Sequence, residues 1–132
     1  MESVNFEEMR QSMVDSQLRT SGVTDAWVLA AMGNIPREDF VPIIHRSTAY
    51  MDRSIALDDG SALNPAVSSA LLLQAADVHA DDHVLLVGKA DGYVAAILRT
   101  RVNALVCVNA NNISAAQSAA PFALIVIDGA AE

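Results

Sequence analysis

The sequence predicts an α/β fold: a helical first part followed by a parallel sheet. Three apolar runs carry this expectation, HVLLVG (83–88), ALVCVN (104–109) and FALIVID (122–128). Each is apolar without alternation, the pattern of a strand covered on both faces, and helix-compatible stretches separate them. The 132 residues suffice for one domain with one core. Residues 1–132 therefore read as a single domain, helical over 1–80 and sheet-based over 81–132.

The elements follow in order. In FEEMRQSMVDSQL, Phe6, Met9, Met13 and Leu18 fall near one helical face, and TSG ends that helix. Thr24 is the expected N-cap of a second helix, DAWVLAAM, with Gly33 closing it. Pro36 suits the first turn of a short PREDFV helix. STAYMDRSIAL reads as irregular or weakly extended, and DDGS as a turn. Asn64 is the expected cap of a helix from Pro65, PAVSSALLLQAADV, apolar almost all round and so expected to be buried. After the first strand comes a short helix, YVAAILRT, and between the second and third strands lies ANNISAAQSAA, also helix-compatible.

Composition narrows the function classes. Hydrophobic residues make up 52% and charged residues 18%, which describes a packed globule rather than a disordered chain. The net charge of −8, without a basic run, argues against nucleic acid or an anionic membrane as a main partner. The single cysteine, Cys107, allows no internal disulfide; the acidic start MESVNFEEMR lacks an apolar signal-peptide core; and no apolar run reaches the roughly 18 residues of a membrane span. Together these predict a cytoplasmic protein.

The turn Gly88-Lys89-Ala90-Asp91-Gly92 stands at the carboxyl end of the first strand, where open α/β sheets bind ligands. Gly88 permits a sharp exit from the strand, and Gly92 lets the next helix start close to a ligand. The residues alone describe an ordinary strand-to-helix turn equally well, because G-x-A-x-G is shorter than a dinucleotide fingerprint. Asn109, at the end of the second strand, is placed to meet ribose hydroxyls but is also turn-prone. His79 and His83 lie four residues apart, yet ADD between them reads as a turn, so no metal site is expected. His45, Trp27 and Tyr50 read as surface, capping or packing residues, and Cys107 as a small core residue.

The chain resembles the protein-L-isoaspartate O-methyltransferase family. The resemblance rests on MVDSQLRTSGVTDAWVLAAMGNIPREDFVP, with its R-E-x-F-V-P run from Arg37 to Pro42, on AYMDRSIAL, on VLLVGKADGYVAAIL and on PFALIVIDGAAE. It implies a Rossmann-like methyltransferase fold with a reduced sheet of the family's strands 2, 1 and 4. It implies S-adenosylmethionine as cofactor, over Gly88, Lys89, Ala90, Asp91, Gly92 and Tyr93 and reaching Asn109 and Asp128. The substrate would be an isoaspartyl-containing protein or peptide, met by Leu63, Asn64 and Pro65. Tyr50 would by the same analogy line a cleft.

Departures fall on working positions. Leu86 stands where the family carries an acid, Ala90 where it has its middle glycine, Asn109 where it has the ribose acid, and Leu63 where it has a serine. Lys89 adds a cation near the expected sulfonium, unless its long stem turns to solvent. Asp91 and Asp128 read as compensating cofactor contacts, or equally as a helix cap and a solvated strand end. Methyl transfer to an ionised carboxylate needs positioning rather than a triad, so no catalytic residue stands out. The alternative is a non-catalytic relative, a ligand-binding or protein-interaction module. Two open sheet edges would favour a homodimer.

Overall fold

The computed structural model describes residues 5–109, 122 and 124–128. Helix α1 (Phe6–Met13) starts at Asn5, whose side chain accepts from the Glu8 N–H. The helical path continues as a wider π turn over Val14–Leu18 and a 3₁₀ turn over Arg19–Ser21, and ends at Gly22 with φ +96°. Met13 and Leu18 are buried and Phe6 and Met9 pack against them, as their spacing predicts.

Helix α2 (Ala26–Asn34) corrects two expectations. Its N-cap is Asp25 rather than Thr24, and it runs one residue past Gly33. The Gln74 side-chain oxygen accepts from both the Thr24 and Asp25 N–H groups, at 2.7 and 2.9 Å. A partner about 50 residues away thus holds the chain just ahead of the helix, while the Asp25 side chain makes no cap bond. Two 3₁₀ segments follow, Arg37–Phe40 and Ile43–Thr48, the second ending on the first two residues of the stretch expected to be irregular. The DDGS turn closes a short antiparallel hairpin of β1 (Ile55–Ala56) and β2 (Ala62–Leu63), with Gly60 at φ +88°.

Helix α3 (Ala66–Ala76) starts after Pro65, and Asn64 does not cap it. Nor is α3 buried all round. Ala66, Ser69, Ala70 and Leu73 face inward while Leu71 and Leu72 are exposed.

The sheet consists of β3 (His83–Val87), β4 (Ala104–Val108) and β5 (Leu124–Ile127), parallel, in the order β4-β3-β5. That is the predicted arrangement, with the first strand central. Helix α4 (Tyr93–Arg99) links β3 to β4. The segment ANNISAAQSAA lies outside the described residues. Val84, Leu86 and Val126 join the buried cluster that includes Met13, Leu18, Val28, Met32 and Leu73. One core thus runs from the helical part into the sheet. On the other sheet face, Ile125 and Ile127 of β5 are exposed.

Candidate functional site

The carboxyl ends of the strands gather the site. The Gly88 N–H donates to the Val108 carbonyl at 2.8 Å, and the Asp128 N–H donates to the Val87 carbonyl at 2.9 Å. These bonds extend both ladders by one step and set Gly88 beside Asp128. A Cβ on Gly88 would lie 3.2 Å from the Asp128 Cβ, so the glycine admits Asp128 at close range. The turn then folds back on itself: the Gly92 N–H donates to the Lys89 carbonyl at 3.1 Å, and a Cβ on Gly92 would meet that oxygen at 3.2 Å. From the far end of α4, Arg99 donates to the Ala90 carbonyl at 2.7 Å.

Opposite the turn stand the hairpin and the segment after Arg37. Between them lies a cleft of about 390 Å³, within the range of small-molecule sites, about 300–1,000 Å³. Gly88, Lys89, Asp91, Gly92, Tyr93 and Asp128 line one side. Leu57 to Asp59, Ser61 to Leu63 and Asp39 to Pro42 line the other. Seven of the expected site residues therefore meet: Gly88, Lys89, Asp91, Gly92, Tyr93, Asp128 and Leu63. Ala90, Asn64, Pro65 and Asn109 do not line the cleft; Asn109 is exposed at the end of β4.

The lining is acidic. Asp39, Asp58, Asp59, Asp91 and Asp128 face it, and Lys89 is the only cation among the lining residues. The Lys89 side chain is about half exposed, and its Nζ lies 3.1 Å from Asp59. Asp59 also accepts from the Ser61 hydroxyl at 2.5 Å and the Ser61 N–H at 3.0 Å. The Ser61 bonds, and then Lys89, hold the Asp59 carboxyl well below the usual range. Asp39 pairs with Arg46 at 3.0 Å. Burial pushes the Asp128 carboxyl up, opposed by the Asn64 side chain.

A buried polar network supports the second wall. Arg37 is fully buried; its Nε donates to the Ala49 carbonyl at 2.6 Å and its Nη2 to the Asn64 carbonyl at 2.8 Å. Its guanidinium lies 5.0 Å from the ring centroid of Tyr93, which burial keeps neutral with a pKa of about 12. Tyr50 is the hub beside it and does not line the cleft. Its hydroxyl donates to Glu38 and accepts from Arg10 Nε at 2.9 Å and from the Arg37 N–H at 3.0 Å. Burial works against the Glu38 charge, but Tyr50 and Arg10 outweigh it and hold the carboxyl below its ordinary value. Arg37 thereby ties the Asn64 backbone to the segment around Ala49.

Sequence reasoning missed Asp39, Asp58 and Asp59 as lining residues. Asp39 sits inside the Arg37–Pro42 run that carries the family resemblance, a usable signal; Asp58 and Asp59 read only as turn residues. Leu86 is fully buried in the core, so an apolar side chain suits its place. His79 Nε2 lies 3.2 Å from an Asp77 carboxylate oxygen, and among the described residues no three His, Cys, Asp or Glu groups gather as metal ligands.

A family model described as protein-L-isoaspartate(D-aspartate) O-methyltransferase matches residues 8–130. Over 113 residues the chain is 34% identical to a protein-L-isoaspartate O-methyltransferase of Herpetosiphon aurantiacus, covering 86% of this chain and 50% of that protein. Over 116 residues it is 34% identical to the protein of the same name from Roseiflexus castenholzii, covering 86% and 53%. A solved structure with that title superposes with a TM-score of 0.66 at 20% identity, over 89% of this chain and 47% of that one, a likeness of fold. The chain spans about half the length of the curated relatives it matches.

Proposed function

The chain belongs to the protein-L-isoaspartate O-methyltransferase family, and from that premise we propose that its cleft binds S-adenosylmethionine for methyl transfer to an isoaspartyl carboxylate of a protein or peptide. The observation that carries this reading is the cleft itself, at the carboxyl ends of parallel strands and lined by the Gly88–Tyr93 turn. Its volume suits the cofactor, and its excess of carboxylates over cations complements a sulfonium.

When bound, S-adenosylmethionine supplies a methyl carbon for attack by a carboxylate oxygen, the C–S electron pair leaving on sulfur. The chain's part is to hold and orient. Asp58, Asp91 and Asp128 set the local potential, and Phe40, Val41 and Leu63 exclude water from one wall. The acceptor carboxylate is already ionised near neutral pH, so no general base is needed.

One observation favours a second reading, binding without transfer. Leu63 lines the cleft and offers no hydroxyl to a substrate. Calorimetric titration with S-adenosylmethionine, followed by an assay of labelled methyl transfer to an isoaspartyl peptide, separates the cases. Binding with transfer supports the enzyme; binding alone leaves the ligand-binding module; no heat at millimolar ligand overturns both.

The acidic balance and single cysteine support a cytoplasmic protein that does not bind nucleic acid. Among the described residues, no helix is long and apolar enough to cross a membrane. The exposed Ile125 and Ile127 support pairing of two copies through the sheet. A monomeric mass by light scattering at high protein concentration would count against that pairing.

A further inference from the structure

Lys89 is the only lysine in the chain, and it stands in the turn that lines the cleft. Its ammonium reaches across to Asp59 on the hairpin turn, 3.1 Å away, joining the two walls. Both side chains stay about half exposed. An ion pair this wet is weak, so a ligand can compete with either partner. Asp59 has other donors in the Ser61 hydroxyl and N–H, so it remains in place and ionised when Lys89 moves. Among the described residues, Lys89 has no second carboxylate partner.

Resting on the cofactor reading above, we propose that the Lys89–Asp59 pair sets the charge selectivity of the cleft, shifting its preference from the cationic methyl donor toward the neutral thioether product. Donor and product share the adenosine, the amino group and the carboxylate. They differ by one methyl and one positive charge. Contacts common to both cancel in the ratio of their affinities, whereas the field of a nearby ammonium does not. Lys89 cancels one of the five lining carboxylates, so it removes attraction from the sulfonium alone. The consequence for a turnover cycle is that donor competes less well with product for the cleft.

The test is calorimetric titration of S-adenosylmethionine and S-adenosylhomocysteine into the wild-type chain and into Lys89→Met, Lys89→Arg and Asp59→Asn. Lys89→Met keeps the stem that packs beside Gly92 and loses the charge. It is expected to raise the donor-to-product affinity ratio by about three- to tenfold, the size of one charge at a partly solvated site. Asp59→Asn is expected to move the ratio the other way, and Lys89→Arg to leave it near wild type. The differences are expected to shrink in high salt, where wet charges are screened. If Lys89→Met shifts both ligands equally, or lowers the ratio, the selectivity role is overturned while cofactor binding stands. If neither ligand binds the wild-type chain, the cofactor reading itself falls, and this role with it.

Discussion

At the scale of single residues, the buried side chains separate support from chemistry. Tyr50 serves Glu38, Arg10 and the Arg37 N–H with one hydroxyl. Tyr50→Phe is expected to cost about 1–3 kcal/mol in urea unfolding near neutral pH, because it leaves buried polar partners unpaired. The pH dependence has a definite sign. Glu38 is held below its ordinary value, so its contribution is present above the unfolded pKa and lost as pH falls through the folded one. The gap between wild type and Tyr50→Phe should therefore narrow in acid. Asp128 behaves oppositely. Its carboxyl is pushed up by burial, so its ionised form weighs against folding as pH rises through the window above the unfolded value. Asp128→Asn is expected to gain stability at neutral pH and to lose that gain well below the ordinary carboxylate pKa of about 4. Melting scans at the two pH values check both.

The residue scale also marks what the sequence could reveal. The G-x-A-x-G turn was legible, because glycine after a buried strand is a local pattern. The direction of Lys89 was not, since it depends on Asp59, 30 residues earlier and on another element. Tyr50 was legible as a packing residue, but its role as a hub needs Arg10 and Glu38 from two further segments.

At the scale of elements, strands were read more surely than caps. Each sheet strand is a continuous apolar run, and burial on the central strand requires that run. Helix α3 was misread because Ala and Leu on nearly every side conceal its inward face, which packing alone selects. Helix α2 starts one residue later than Thr24 suggested, and the N–H groups of Thr24 and Asp25 are held by Gln74 of α3, a partner beyond the reach of any local rule. The hairpin carries Asp59, and its turn needs Gly60 at φ +88° with open space around it. Gly60→Ala is expected to cost about 1 kcal/mol through backbone strain alone. It should also loosen the Lys89–Asp59 pair, which amide exchange at residues 58–61 would register.

At the scale of the whole molecule, one buried cluster joins α1, α2, α3 and α4 to the inner face of the sheet. We infer that residues 1–132 unfold as one unit. Far-ultraviolet circular dichroism and Trp27 fluorescence should then give coincident urea transitions, and a separate early transition would divide the helical part from the sheet. The parallel order β4-β3-β5 was legible because the strands alternate with helix-forming stretches and because the family resemblance names which strands are neighbours. The cleft was legible on its turn side only. Its other wall comes from Asp39 to Pro42 and the hairpin, joined to the turn by tertiary packing.

The central claim is that this cleft holds S-adenosylmethionine, and titration of isotopically labelled protein followed by amide resonances tests it most directly. The account predicts saturable shifts concentrated at Gly88 to Tyr93, Asp128 and the hairpin residues 58–63, with α1 and α2 unmoved. An unchanged spectrum at millimolar ligand, or shifts confined to surfaces away from the carboxyl ends of the strands, would contradict it.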